Sequence, residues 1–421
     1  MPESMMQPDL QDVATLNGVQ AAALARWQER GWPGAKDEAW RFTRLASLDK
    51  LSLRPADASL ANGTGNLSAH ALPAGAHVIR FHNGMLVANS LENMPTGISA
   101  RLIDEDDLDA IVDLAPANHP VTDLSVAAMT SGLALDVVAG ATVTTPIILM
   151  FTGDSGSVST HPVVLLRVAK GAQAVIAEWH SASVGLSAPV MAIDIADNAR
   201  LDYAKIQQDS ATTTHIAATG IKMGEAAVLD GFQLSIGGCL ARLEVHVMLA
   251  AESADCRLSA IYLGRRNQHH DITTNMTHAR GHCQSNQVIR GVLDGAARGV
   301  FQGKVHVAQD AQKTDGQQMS RALLLSRKAE ADAKPELEIY ADDVICAHGA
   351  TVGELDETQL FYLTSRGISP EVARAMLIAA FLDDAVDMIE NADLSALLRP
   401  HVTGWMQAQE GSVNAQPNGD S

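Results

Sequence analysis

Apolar and polar positions recur with different periods along the chain, and the change of period divides it. From Leu10 to about Arg30 an Ala-rich segment carries an apolar stripe of Leu10, Val13, Leu16, Leu24 and Trp27, and Gly31 with Pro33 ends it. This predicts a helix. Residues 37–45 predict a short helical or turn segment, and the Gly/Asn/Ser-rich stretch 61–68 a loop. His77 to His82, Asn83-Gly84, then Met85 to Val87 reads as strand, tight turn, strand, the pattern of a hairpin. Helical spacing returns at 107–114 and 121–129, so residues 1–130 read as a mixed, mainly helical N-terminal region.

Beyond Ser131 short β-branched runs are broken at close intervals by small turns. Each turn centres on an alanine or its equivalent: Ala141, Ala172, Ala199, Ala226, Ala254 and then His282, at gaps of 31, 27, 27, 28 and 28 residues. A unit of nearly constant length is what the stacked coils of a β-solenoid require, because each coil buries its inward row on its neighbours. Two positions after the turn stand Ala174, Leu201, Val228, Cys256 and Gln284, and seven after it Trp179, Ile206, Gln233, Ile261 and Ile289. These rows are mainly apolar and become more polar in later coils. A β-sandwich also has closely spaced strands, but it has no reason to keep a 27–28-residue register. The reading is a mainly β chain with a parallel β-helix over 131–354, followed by a helical region over 355–421. In that last region Asp356 and Gln359 form a capping-box pair, and Ser369-Pro370-Glu371 opens a helix. Its predicted stripe is Ala373, Met376, Leu377, Ala380 and Phe381; a third short helix at 394–398 is expected to stop before Pro400, and the last dozen residues to fray.

Composition removes several function classes. The longest apolar run, Ala375 to Leu382, is eight residues, far below the ~18–20 of a membrane-spanning helix. A net charge of −19 over 421 residues opposes nucleic-acid backbones and anionic membranes. The acidic start, without a basic and apolar leader, predicts cytoplasmic residence. Cys239, Cys256, Cys283 and Cys346 form no CxxC pair and suit a reducing compartment. Offsets of two and one from their turns predict opposite faces for Cys256 and Cys283.

Most motifs that could carry chemistry fall short. Gly299 to Lys304 imitates a phosphate loop with one residue too few and a valine in place of the magnesium-binding hydroxyl, and Gly63-Thr-Gly65 lacks the third glycine of a dinucleotide fingerprint. His269, His270, His278 and His282 beside Cys283 are the right donors for zinc or iron, but Arg280-Gly281 breaks any helical spacing, and polar residues on the outer face of a solenoid are the expectation. The two helices after residue 355 imitate a helix-turn-helix, yet Glu354 to Pro400 carries nine acidic against three basic residues, the wrong sign for a DNA groove. Cys346 and His348, two apart on a strand, share one face, where they could bind a soft metal or serve sulfur chemistry; a buried cysteine beside a hydrogen-bonded histidine is the plainer alternative.

The segment KPELEIYADDVICAHGATVGELDETQLFYLTSRGI, residues 334–368, closely resembles the signature of the SufB/SufD family of iron-sulfur cluster assembly scaffolds. LLLSRKAEADAKPELEI and DEAWRFTRL extend the resemblance over nearly the whole chain, and Cys346-Ala-His348-Gly-Ala-Thr resembles the SufD branch more than the SufB branch. The resemblance implies a right-handed parallel β-helix between helical ends, a heterodimer with SufB, and docking of the ATPase SufC on the C-terminal helices. It implies a scaffold without turnover of its own. On that basis His348 lies at the SufB interface as a transient iron ligand with Cys346 beside it, and the SufC platform includes Asp356, Gln359, Phe361, Tyr362, Arg366, Met376 and Phe381. The cluster would be held only transiently and by the complex; a flavin belongs, if anywhere, to the complex, and a homodimer is conceivable without SufB. A purely structural solenoid and a polysaccharide-active β-helix are the competing readings, the second opposed by the lack of carboxylate pairs at coil spacing.

Overall fold

The computed structural model describes residues 17–413 except 35, 46–47, 49–53, 57–59, 61–71 and 118; the loop expected at 61–68, the start of the first helix and the tail lie outside the described residues. Residues 132–353 wind into a β-solenoid of about eight turns. Each coil contributes one strand to each of two facing sheets, as in Thr214–Met223, then Val228–Ser235, then Leu240–Leu249 in the first sheet again. The sheet covered by the N-terminal helices is called the N-sheet, and the one covered by the C-terminal helices the C-sheet.

Parallel pairing stacks equivalent residues directly. One inward row of the C-sheet reads Ala174, Leu201, Leu229, Cys256, Ser285, Gly316, Cys346. The predicted repeat is therefore present, but its register slips by one in two coils: Leu229, Ser285, Leu234 and Arg290 occupy the row positions expected for Val228, Gln284, Gln233 and Ile289. The cause lies in the corner. The residue that turns the chain adopts positive φ at Gly140, Gly171, Asn198, Ala226, Ser253, His282 and Lys313, and the small residue after it starts the next strand. Ala226-Ala227 offers two alanines, and His282 is the turn residue itself, so matching by residue type chose the wrong member. A one-residue slip moves a side chain to the opposite face. With the register corrected, Cys256 and Cys283 both enter the lumen core as buried, unpaired thiols.

The N-terminal end of the solenoid is closed. His77–His82 extends the C-sheet beside Thr142–Gly153 and turns back at Asn83-Gly84 into Met85–Leu86, the expected hairpin. Ile98–Leu102 lies antiparallel on Gly132–Val137 and ends the N-sheet. Helices α1 (Gly18–Arg30), α2 (Glu105–Leu114) and α3 (Pro120–Ala128) bury Trp27, Ile111 and Leu124 against Leu165, Ile216 and Ala218 on that sheet's outer face. α2 approaches so closely that a Cβ on Gly220 would overlap the Leu114 carbonyl, which explains a glycine in the middle of a strand.

The C-terminal helices are α4 (Glu357–Ser365), α5 (Pro370–Val386) and α6 (Ala392–Val413). α5 starts as expected, with Ser369 accepting from the Val372 N–H ahead of a proline at the first position. Its buried face is Ala373, Ile378, Leu382, Ala385 and Val386, so Met376 is left exposed. Residues 372–382 are apolar almost all the way round, and that pattern alone does not select a face. α6 does not stop before Pro400 but runs through it. Leu394, Leu397, Leu398, Val402 and Trp405 pack on the C-sheet around Trp179, Phe232 and Ile261, and this burial offsets the one hydrogen bond that proline removes. Among the described residues no helix is long and apolar enough to cross a membrane.

Candidate functional site

The C-terminal end of the solenoid, unlike the other, is open. Among the described residues the last C-sheet strand, Ile345–Gly353, pairs only with Asp315–Leu324, and the last N-sheet strand, Glu330–Ile339, only with Arg298–Val307. Two parallel strand edges thus face outward with unpaired N–H and C=O groups, which proteins normally cover or pair. Apolar side chains rim them: Tyr340 is 62% and Ile345 69% exposed, with Ile339 and Val352 beside them.

Cys346 and His348 project from this last strand on its inward rows, so the structure brings both to the mouth of the lumen. Cys346 stacks above Gly316, with Sγ 3.3 Å from where a Cβ of that glycine would stand. Burial pushes its thiol up and Asp315 adds to that, against the backbone N–H of Gly316. At neutral pH it is a protonated thiol that deprotonates when a cation compensates the charge. His348 is exposed and continues the row Leu258, Gln287, Gln318. One imidazole and one thiol are two donors of the four that a tetrahedral iron or zinc site needs. Among the described residues no group of three or more His, Cys, Asp or Glu side chains is placed to hold a metal. A metal site built on this pair would need donors from outside the described residues.

The histidines expected on the outer face divide. His282 is exposed, but His270 and His278 lie inside the lumen, where burial depresses them to about 3 and about 4. They bond Ser235 Oγ at 2.8 Å and Ser285 Oγ at 2.8 Å. The turn at Arg280-Gly281 falls after the strand His269–His278, whose alternation sends even-numbered residues inward.

On the C-terminal helices the platform residues separate. α4 has no buried residue; Phe361 is 73% exposed and Tyr362 57%, with the Arg366 guanidinium 4.8 Å from the Tyr362 ring. Gln359 and Met376 are also exposed. Asp356 is occupied as the cap of α4, its carboxylate accepting from the N–H groups of Thr358 and Gln359. Phe381 turns toward the solenoid, half-buried beneath Arg290.

Sequence reasoning missed a buried polar network in the lumen. Glu178 accepts from Tyr203, stands 3.4 Å from Lys205 Nζ and contacts His180 Nε2 at 2.9 Å. His180 stacks on Phe151 and meets His215 edge-on, and His215 Nδ1 lies 2.8 Å from Asp209. Burial would raise Glu178, but Lys205 and His180 outweigh it and hold its carboxyl low; His180, desolvated, falls to about 4. The signal was present as polar residues two apart, Glu178-x-His180 and Lys205-x-Gln207-x-Asp209, but with apolar rows on both faces of the C-sheet it does not show which face is the lumen. A second network explains the DEAWRFTRL segment. Trp40 lies 4.1 Å from the fully buried Arg242 guanidinium, Arg242 pairs with Glu244 and Asp271, and Thr43 donates to Asp271. This straps the N-terminal segment to the N-sheet.

Comparison with known proteins places the chain in a family. A family model described as SUF system FeS cluster assembly, SufBD core domain, matches residues 151–381. The iron-sulfur cluster assembly protein SufD of Escherichia coli is 35% identical over 233 residues, covering 54% of this chain and 55% of that protein. A SufBD family protein of Synechocystis is 29% identical over 432 residues, 96% of this chain and 94% of its own length. The Bacillus subtilis SufD is 28% identical over 276 residues, covering 64% and 63%. The chain thus aligns with about half the length of the Escherichia coli protein and nearly all of the Synechocystis one.

Proposed function

We propose, from the premise that this chain belongs to the SufBD family of iron-sulfur cluster assembly proteins, that it is a non-catalytic scaffold whose open solenoid end joins a SufB-type partner and helps hold the nascent cluster. The observation that carries this reading is the coincidence, on one strand edge, of unpaired backbone, an apolar rim and the donor pair Cys346 and His348. A second solenoid can continue both sheets there, which would bury the rim and add ligands that this chain lacks. The cluster is cargo: the imidazole lone pair of His348 binds iron transiently, and thiolates from the partner complete the set. Cys346 supplies a second, weaker ligand after losing its proton.

The same reading assigns α4 and the exposed start of α5 to a SufC-type ATPase. Phe361, Tyr362 and Met376 are large side chains that the fold leaves in water, the type of residue that anchors interfaces. Asp356 then acts by holding α4, and Phe381 by seating α5. The four cysteines are free in the structure and suit a reducing cytoplasm.

His348→Ala in a reconstituted complex, at matched complex yield, is expected to lower cluster formation at least about tenfold, the scale of losing a metal-site interaction. Undiminished assembly would remove His348 from the site. Phe361→Ser with Tyr362→Ser is expected to weaken ATPase binding by about 30-fold or more, measured by titration calorimetry, without changing the thermal midpoint, because neither side chain is buried. Equal binding by the variant would move the ATPase to another surface.

A further inference from the structure

The lumen just below His348 has a feature that the scaffold reading leaves unused. Facing residues of the two sheets meet across the lumen coil by coil. Thr274 donates to Gln287 Oε1 at 2.7 Å. In the next coil Gly303, stacked on Thr274, faces Gln318, stacked on Gln287. In the last coil Pro335 and His348 hold the same two places. Gln318 is 2% exposed, and both its amide oxygen and its amide nitrogen are without a hydrogen-bond partner. Its amide occupies the space left by the missing side chain across the lumen, since a Cβ on Gly303 would fall on Gln318 Nε2. A buried primary amide with neither end satisfied costs about 1–3 kcal/mol relative to one that is paired, so both ends are open to a partner.

We propose that Gln318 is a positioning residue for His348: its Oε1 accepts the N–H of the imidazole one coil above and so fixes which ring nitrogen carries the lone pair offered to iron. Adjacent coils are separated by ~4.8 Å, within reach of a long amide and an imidazole on the same row. His348 is exposed and stands directly above Gln318 in the row. Gln287 spends Oε1 on Thr274 and its Nε2 is unpaired, and Gln318 Oε1 has two lone pairs, so accepting the imidazole N–H breaks no existing bond. Metal-bound histidines commonly hold their other N–H on such an acceptor, and its loss costs about 10–100-fold in affinity or activity.

This inference rests on His348 as an iron ligand, but its first test does not require iron. The full chain, carrying 15N-labelled histidine, is compared with Gln318→Met, which keeps length and apolar bulk, and with Gln318→Glu, which keeps the acceptor. The His348 signal, assigned by its loss in His348→Ala, is expected to show one tautomer in the parent chain and in Gln318→Glu, and a mixture of both in Gln318→Met. Thermal melts of the variants show whether each is folded. In the complex, Gln318→Met is expected to lower cluster formation about tenfold at unchanged complex yield. An unchanged tautomer in folded Gln318→Met overturns the proposal, and so does a full rate of assembly by that variant. If His348→Ala leaves assembly intact while the tautomer shift is present, the site reading fails and the contact between the two residues stands.

Discussion

Lowering the pH from 7 to 5 is expected to remove several kcal/mol of folding stability, well before any carboxylate of the lumen titrates. His161 and His270 are depressed to about 3, and His180 and His278 to about 4, in each case first because burial disfavours the charged ring. Glu178 raises His180 while His215 and Lys205 lower it; Asp315 raises His278, and His269 lowers His270. For a group depressed in the folded state the sign is fixed. The stability it contributes is fully present above the unfolded value near 6.5 and is lost as pH falls toward the folded value, because only the unfolded chain takes up the proton. At ~1.36 kcal/mol per pH unit, each imidazole withdraws ~2 kcal/mol between 6.5 and 5. Four such groups together would withdraw roughly 8 kcal/mol, comparable to the ~5–15 kcal/mol that holds a domain together. Glu178, Asp209 and Glu244, held below their ordinary range, lose their contributions only at still lower pH. Urea titrations at pH 7, 6 and 5 measure this. A midpoint that does not fall with pH would mean that these imidazoles, three in the lumen and His161 beneath α3, are already protonated or reach solvent.

Lys205→Met is expected to destabilise the chain by about 3–5 kcal/mol, the penalty of removing one partner from a buried ion pair. The ammonium is 1% exposed, 3.4 Å from Glu178 and donating to Thr219 Oγ1 at 3.0 Å; without it an equally buried Glu178 retains only Tyr203 and His180. The Glu178 carboxyl then rises, since the cation that opposed its desolvation is gone. Adding Glu178→Gln should restore part of the loss, because a neutral amide needs no counter-charge. Urea midpoints of the parent, both single variants and the double variant close the thermodynamic cycle. A loss below about 1 kcal/mol for Lys205→Met would show that the pair is solvated.

The architecture was legible because a solenoid writes its period into the chain: the corner sequences around Gly140, Gly171 and Asn198 set the spacing, and the hairpin at Asn83-Gly84 follows from local backbone preference. What was not legible depended on which of two adjacent residues turns a corner. Ala226-Ala227 look alike as letters, yet only the first is left-handed, and the choice decides whether Leu229 or Val228 enters the core. The lumen network was hidden for another reason: the row of Ala174 and Leu201 faces the lumen and the row of Trp179 and Ile206 the C-terminal helices, so both faces of the C-sheet are apolar and alternation does not say on which of them Glu178 and Lys205 stand. At the site, the shared face of Cys346 and His348 followed from strand alternation alone. That the strand is the last of its sheet, and that Phe381 is turned inward while Phe361 is not, depends on packing between distant segments, which residue periodicity does not encode.

The two ends of the solenoid differ in a way that limits how it can grow. At one end Met85–Leu86 and Ile98–Leu102 run antiparallel to the strands they cover, reversing the chain direction and stopping further parallel addition. At the other end no strand among the described residues reverses it. A rod with one sealed and one adhesive end can join a single neighbour, end to end, and the joint consumes both adhesive surfaces. On the proposed function, end-to-end pairing at the open edge would therefore favour a two-solenoid assembly over a growing fibre.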